Sequence, residues 1–333
     1  MSQDIGHMRH ALRLAQRGLG NVWPNPAVGC VLVRDDVVVG RGWTQFGGRP
    51  HAERVALDQA GGAAHGATAY VTLEPCAHHG HTPPCADALI AAGIGRVVTA
   101  LTDPDPRTAG QGHAGLRAAG IDVTEGVCRS EAKYLQRGFL KRVMQELPMV
   151  TLKLATSLDG RIATASGESQ WITSPVARHH THLLRLRHDA VMVGGETARV
   201  DHPSLNVRGF GPDIRQPVRI IVSGKKLPDL PAEDHDHGPL WQVSGDLRLA
   251  LQDLASRGLT RIFCEGGGTL AAGLLSAGLV DDLVLYSAGM VLGSGGHPAI
   301  GGLEFGPLAD APRFTLQRIM KIGPDTCQTW TRI

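Results

Sequence analysis

Apolar residues near the amino terminus recur at helical spacing, at Ile5, Met8, Leu12, Ala15 and Leu19, which predicts an amphipathic helix within Met1–Gly20. No uninterrupted apolar core runs through this stretch, so it reads as a packed helix and not as a signal peptide. Two short apolar runs, Val28–Val33 and Val37–Val39, flank Arg34-Asp35-Asp36 and predict two strands joined by a turn. The pattern then predicts a helix over His51–Ala60, a strand over Ala69–Thr72 and a helix over Cys85–Ala92. A strand over Arg96–Ala100, a helix over Gly112–Ala119 and a strand over Ile121–Thr124 follow. This order implies a mixed sheet covered by helices.

A helix over Ser130–Met144 precedes the step Glu146-Leu147-Pro148, after which Met149–Ala155 opens a fresh strand. The boundary is placed there, giving domains 1–146 and 147–333, in keeping with a 333-residue chain that exceeds the usual size of one domain. The second half alternates again. Strands are expected at Ala190–Val193, Val218–Val222, Leu240–Ser244, Arg261–Cys264 and Leu283–Tyr286, with two late strands closing the chain. Helices are expected at Pro175–Arg187, Leu247–Arg257 and Thr269–Ala277, so this half is also α/β. The stretch Pro228–Pro239, with three prolines and an Asp-His-Asp-His run, reads as a solvated loop.

Composition narrows the partners. The 33 basic and 31 acidic residues leave a net charge of +2, which gives no global attraction to nucleic acid or to an anionic membrane. No stretch approaches the ~20 apolar residues needed to cross a bilayer, and a cytoplasmic protein is expected. The expected partner is a small molecule, with no nucleic acid and no membrane, and homo-oligomerisation stays open. Six cysteines are present, and only Cys76 and Cys85 lie close together, which is metal-site spacing and not a disulfide framework.

Those two cysteines and His51-Ala52-Glu53 supply a candidate zinc site. A structural zinc is usually closed by four protein ligands, whereas a catalytic one keeps three and leaves the fourth position to water. His51, Cys76 and Cys85 are three ligands, and Glu53 is a spare carboxylate. Two residues apart on a regular helix, His51 and Glu53 would diverge. At a helix start they can converge, because side chains tilt toward the amino end, and Pro50 suits such a start. Cys85 follows Pro83-Pro84 and opens the next helix, where free amides and the dipole favour a thiolate. Zinc would lower the pKa of bound water toward ~7, and Glu53 would carry a proton to the departing nitrogen. His-x-Glu with Pro-Cys resembles the signature of zinc nucleobase deaminases. The plainer alternative is a structural zinc knuckle or an accidental cysteine pair. His78, His79 and His81 are expected to line the substrate mouth, with a fourth-ligand role for one of them as the alternative.

The spacing departs from the common deaminase pattern, because eight residues and not two separate Cys76 from Cys85. His51-Ala52-Glu53, Thr72-Leu73-Glu74-Pro75-Cys76 and His81-Thr82-Pro83-Pro84-Cys85 resemble the deaminase half of the bifunctional riboflavin-biosynthesis deaminase-reductases. Pro24-Asn25-Pro26 with Val28-Gly29 is similar to that family too. So are Leu152-Lys153-Leu154, Ser157-Leu158-Asp159-Gly160 and the run Ser166–Thr173, so the resemblance covers nearly the entire chain. It implies a cytidine-deaminase-like three-layer domain with a mixed sheet, then a dihydrofolate-reductase-like α/β domain. It also implies hydrolytic removal of the 2-amino group from a diaminopyrimidinone carrying a ribosylamino 5-phosphate, then reduction of the ribosyl chain by NADPH. Asn25 would touch the substrate, although a Pro-Asn-Pro turn is also a plain structural device.

The first strand of the second half is not followed by Gly-x-Gly-x-x-Gly, which argues against a Rossmann site. Two glycine turns remain, Val193-Gly194-Gly195-Glu196-Thr197 and Cys264-Glu265-Gly266-Gly267-Gly268-Thr269. Either could cradle phosphate on free amides or be a tight turn. The resemblance implies cofactor contacts at Ala155, Trp171, Thr197, Asp201, Ser223, Gly267, Gly268, Thr269, Leu270, Ala271, Ala272 and Gly273. It implies substrate contacts at Ser169, Arg185, Leu205, Arg208 and Glu265, of which the two arginines suit a ribose phosphate. Gly194-Gly195-Glu196 departs from the hydroxyl-rich run of some relatives. Ser223-Gly224-Lys225-Lys226 ends a strand with a hydroxyl and two cations, fit for a 2′-phosphate or for a solvated basic turn. Lys153 and Asp201 are the candidate proton sources for the reduction, with a snorkelling Lys153 as the alternative. Two other functions compete. A deaminase of free nucleosides or RNA with a degenerate second half is disfavoured by the near-neutral charge and the lack of interleaved aromatic and basic residues. A non-enzymatic zinc-organised binding module leaves Glu53 without a purpose.

Overall fold

The computed structural model describes residues 2–77, 83–106, 108–211, 214–303 and 306–333. It divides the chain into two compact units, Met1–Glu146 and Leu147–Ile333.

The first unit runs α1 (Ser2–Ala15), β1 (Gly29–Arg34), β2 (Val37–Trp43), α2 (Ala52–Ala60), β3 (Thr68–Val71), α3 (Cys85–Ala91), β4 (Arg96–Thr99), α4 (Gln111–Ala118), β5 (Asp122–Thr124) and α5 (Arg129–Gln145). Its sheet has the order β2-β1-β3-β4-β5. β1 is antiparallel to both β2 and β3, whereas β3, β4 and β5 run parallel, as strands joined through crossover helices must. The hairpin turns on Asp35 and Asp36, both at positive φ, a conformation that short polar side chains tolerate. Met8, Ala11 and Ala15 of α1, Ala56 of α2, Leu89 of α3, Leu116 of α4 and Ala132 of α5 pack with Val31, Leu32, Val71, Val97 and Val98. The inner strands therefore read as continuous apolar runs rather than alternating ones. The Asp4 carboxylate pins α1 to the sheet, accepting from Arg96 Nη1 (2.9 Å) and the Tyr70 hydroxyl (2.8 Å).

The second unit contains β6 (Met149–Thr156), β7 (Arg161–Ala163), α6 (Pro175–Leu186), β8 (Ala190–Gly194), α7 (Gly195–Asp201), β9 (Val218–Val222), β10 (Leu240–Val243), α8 (Leu247–Ser256) and β11 (Arg261–Cys264). It continues with α9 (Gly268–Ser276), β12 (Asp282–Ser287), β13 (His297–Pro298), β14 (Phe314–Ile322) and β15 (Asp325–Arg332). The main sheet has the order β10-β9-β8-β11-β6-β12-β15-β14, and β7 pairs separately with β13. The six strands from β10 to β12 are parallel, and β15 and β14 complete the sheet antiparallel. Such a sheet presents its ligand-binding loops at the carboxyl ends of the parallel strands. Ser174 caps α6 by accepting from the Ala177 amide (3.3 Å), with Pro175 in the first turn. Three elements differ from the sequence reading, which has neither β7 nor β13. The stretch after β8, read as a glycine turn, is the start of helix α7, with Gly194 as its N-cap.

Candidate functional site

In the first unit the predicted ligands converge. His51 is the N-cap of α2, and Pro50 stands just before it. Cys85 is the first residue of α3, and Cys76 lies in the segment that leaves β3. His51 Nδ1 is 3.3 Å from Cys85 Sγ and 3.7 Å from Cys76 Sγ, and the three ligand atoms all lie within 4.8 Å of one another. A tetrahedron with ordinary Zn–N and Zn–S bonds has edges of roughly 3.5–3.8 Å, so the spacing fits zinc. The charges fit as well. The Cys85 thiol, His51 and the Cys85 amide, which donates to Cys76 Sγ at 3.3 Å, hold the Cys76 thiol down at about 4 despite its burial. The Cys85 thiol is pushed up by its hydrogen bond to Cys76 and by burial. Two sulfurs thus compete for one negative charge, a conflict that a dication between them resolves. Glu53, only 4% exposed, stands in the first turn of α2. Burial, and then the Cys76 thiolate, raises its pKa to about 7.

Two further residues frame this centre. Asn25 Nδ2 donates to the Gly48 carbonyl (2.9 Å), three residues before His51, and its carboxamide oxygen makes no hydrogen bond among the described residues. Glu74 sits two residues before Cys76 and is buried. Its carboxylate accepts from the amides of Asp103 (2.9 Å), Gly110 (2.9 Å), Gly112 (2.8 Å) and His113 (3.3 Å). It thereby binds the cysteine segment to the amino end of α4, where free amides favour an anion. Buried His113 extends the network, with Nε2 2.9 Å from Thr99 Oγ1 and Nδ1 3.3 Å from Glu125 Oε2. A side chain at Gly112 would collide with the Pro75 carbonyl, so only glycine permits this approach. Sequence reasoning quoted Glu74 within a motif and gave it no task, because its partners lie 29 to 39 residues away. His78, His79 and His81 lie outside the described residues.

In the second unit the candidates gather at the carboxyl ends of adjacent parallel strands. Gly194 pairs with Val222, Met192 with Cys264 and Cys264 with Leu152. Ser223, Gly195, Glu265 and Lys153 therefore follow one another across β9, β8, β11 and β6. Arg185 of α6 forms a two-point pair with Glu265, with Nη2 donating to Oε2 at 3.0 Å, and its Nη1 donates to the Asn206 carbonyl (2.7 Å). Burial lowers the Lys153 pKa, with Glu265 opposing and Arg185 assisting. Burial would raise the Glu265 pKa, but Arg185 and Lys153 hold it below the usual carboxylate range. The Gly267 amide donates to Thr197 Oγ1 (3.3 Å), joining the starts of α7 and α9. A side chain at Gly195 would collide with Ser223, so only glycine lets the start of α7 pack this closely against the end of β9. Gly267 is the N-cap of α9, and its first turn presents free amides fit for phosphate.

The remaining candidates are less concentrated. Trp171 is 65% exposed and carries the Arg178 guanidinium 4.5 Å from its ring centroid. Ala155 is half-buried on β6, Ser169 is half-buried before Trp171, and Arg208 is exposed with its amide donating to His182 Nδ1 (3.3 Å). Leu205, Leu270, Ala271 and Ala272 have buried side chains, which leaves only their backbone atoms able to meet a ligand. Asp201 ends α7, an exposed residue whose pKa is raised by partial desolvation of its carboxyl.

Known proteins match both halves. The cytidine and deoxycytidylate deaminase zinc-binding region matches residues 1–101, and the RibD C-terminal domain matches residues 148–328. Riboflavin biosynthesis protein RibD of Escherichia coli (strain K12) is 45% identical, covering 98% of both chains. The chain belongs to the RibD family. The RibD of Aquifex aeolicus is 38% identical over 97% of this chain and 96% of its own. The solved Acinetobacter baumannii RibD, form 1, superposes with a TM-score of 0.90 at 39% identity, covering 100% of this chain and 99% of that one. RibD proteins are bifunctional deaminases and reductases of riboflavin biosynthesis, and both halves are present here. The cofactors of this RibD chain are zinc in the first unit and NADPH in the second. Among its described residues no helix is long and apolar enough to cross a membrane.

Proposed function

We propose that this chain deaminates 2,5-diamino-6-(5-phosphoribosylamino)pyrimidin-4(3H)-one and then reduces the ribosyl chain of the resulting 5-amino-6-(5-phosphoribosylamino)uracil. The observation that carries the first step is a buried, non-ligating Glu53 beside a three-donor His51, Cys76 and Cys85 set. A solved Thermotoga maritima protein, 32% identical with a TM-score of 0.86, is named a diaminohydroxyphosphoribosylaminopyrimidine deaminase and 5-amino-6-(5-phosphoribosylamino)uracil reductase, which supports these substrates.

His51, Cys76 and Cys85 would hold zinc, which when bound acidifies water and makes it a nucleophile at neutral pH. Glu53 takes the proton of the attacking water and delivers it to the exocyclic nitrogen. The C2–O bond forms, the bond from C2 to the exocyclic nitrogen breaks, ammonia leaves, and the second proton of the water ends on a ring nitrogen beside C2. Asn25 offers its free carboxamide oxygen to the ring, held at that angle by its bond to Gly48.

In the second step NADPH, when bound, would supply a hydride for C1 of the opened ribose. The glycine segment Gly267–Gly273, Thr197 and Ser223 hold the cofactor, with Ala155, Trp171 and Asp201 at its edges. Arg185 and Glu265 form a rigid polar floor, and with Ser169, Leu205 and Arg208 they position the phosphorylated substrate. As C1 takes the hydride the C=N double bond becomes a single bond, and Lys153 gives its proton to that nitrogen, which stays bonded to C1, aided by burial that weakens its hold on the proton.

The test is incubation with the diaminopyrimidinone phosphate, first alone and then with NADPH. Release of one ammonia without NADPH, followed by NADPH oxidation and a ribityl product mass, is expected. Absence of ammonia release from zinc-loaded protein overturns the first step, and a product that remains ribosyl overturns the second.

A further inference from the structure

Arg199 has no part in the chemistry above, yet its surroundings are those of an anion site. It lies on α7, and its guanidinium nitrogen Nη1 is buried with no hydrogen-bond partner among the described residues. A buried donor left unmade is costly, so such a group is normally partnered by protein, water or a ligand. The side chain runs back toward the start of its helix, as helical side chains do. A methyl group placed on Gly195 would lie 3.1 Å from Arg199 Nη1 and 2.6 Å from Ser223 Oγ, so both polar atoms border the same spot. Lys225 and Lys226 are exposed on the turn that Ser223 begins. A fixed guanidinium, a hydroxyl and two lysines on the adjoining turn are the chemistry of a phosphate monoester site.

Two neighbours define what that phosphate belongs to. Thr197, on the same helix, receives the Gly267 amide, so the site adjoins the glycine segment proposed for the dinucleotide. Glu196, an exposed carboxylate, accepts from Arg199 Nη2 at 2.7 Å. Resting on the reductase reading, we propose that Arg199 and Ser223 read the 2′-phosphate that distinguishes NADPH from NADH, with Glu196 as the competing anion for the same guanidinium. Arg199 is thereby a specificity-determining residue. The exposed lysines add long-range attraction and no geometry.

The test uses the full chain and two probes, adenosine 2′,5′-bisphosphate and adenosine 5′-monophosphate, measured by calorimetry. Arg199→Leu is expected to weaken the bisphosphate about tenfold or more, the usual scale of a lost charge-assisted bond, and the monophosphate less than twofold. Arg199→Lys, which keeps the charge without the fork, falls between. Glu196→Gln is expected to do the reverse and tighten the bisphosphate severalfold, which keeps the proposal testable even if Arg199→Leu is poorly folded. In turnover, Arg199→Leu should raise the ratio of KM for NADPH to KM for NADH about tenfold. Equal loss of both probes, or no loss of either, overturns the assignment. Wild-type protein that prefers NADPH alongside an Arg199→Leu variant with the same preference removes Arg199 alone. Wild-type protein that oxidises neither cofactor removes the reductase reading together with it.

Discussion

Glu53 is a buried carboxylate and Glu265 a largely buried one, and their neighbours drive them to opposite states. Burial and a thiolate raise the first to about 7, whereas a guanidinium and an ammonium outweigh burial at the second and keep it ionised. Glu53 is therefore suited to carry a proton and Glu265 to be a fixed charge. Glu53→Gln is expected to cut deamination by about 10³-fold, within the usual range for general acid–base groups. Its zinc content and its reduction of supplied deaminated substrate should persist, as read by ammonia release, metal analysis and NADPH absorbance. Glu265 raises the Lys153 pKa while burial lowers it. Removing that charge in Glu265→Gln should lower the Lys153 pKa further, so its proton is lost at lower pH. The alkaline limb of the reduction rate should then move down in pH, measured on kcat so that weaker substrate binding is separated out.

At the level of elements, Glu74 is a positioning residue whose effect reaches Cys76 through α4. Gln at this position keeps the shape but turns one acceptor oxygen into a donor, leaving at least one α4-end amide facing another donor. Glu74→Gln should lose about 10–100-fold in zinc affinity, as outer partners of metal ligands do, by chelator competition. Excess zinc should restore most of its deamination. This clamp was hidden in the sequence because its four donors come from a distant loop and helix start. The cysteine and histidine spacing was legible, since residue type alone limits what can ligate. Strands β8, β9 and β11 were legible for a different reason, as buried apolar runs bounded by turns. α7 was not, because its opening Gly-Gly carries the signature of a turn. β7 and β13 are three and two residues long and leave no periodicity to find.

For the whole molecule, the two units solve separate chemical problems with separate groups, and chelation should divide them. Stripping zinc from the full chain should abolish deamination while NADPH oxidation with the deaminated substrate continues, followed in one cuvette before and after the chelator. Re-addition of about one zinc per chain should restore ammonia release. The two-domain division follows from chain length and the Glu146-Leu147-Pro148 step, whereas strand order did not, since parallel neighbours are chosen by packing between distant segments. The clamp on Cys76 has a consequence at this scale. Cys76 is held by Glu74 from behind, and Cys85 is held as the opening residue of α3. The two thiol ligands thus rest on separate supports, one reaching α4 through Glu74 and one at the start of α3. A protein engineer can therefore loosen the grip on the metal one ligand at a time, by changing Glu74 and leaving the start of α3 untouched.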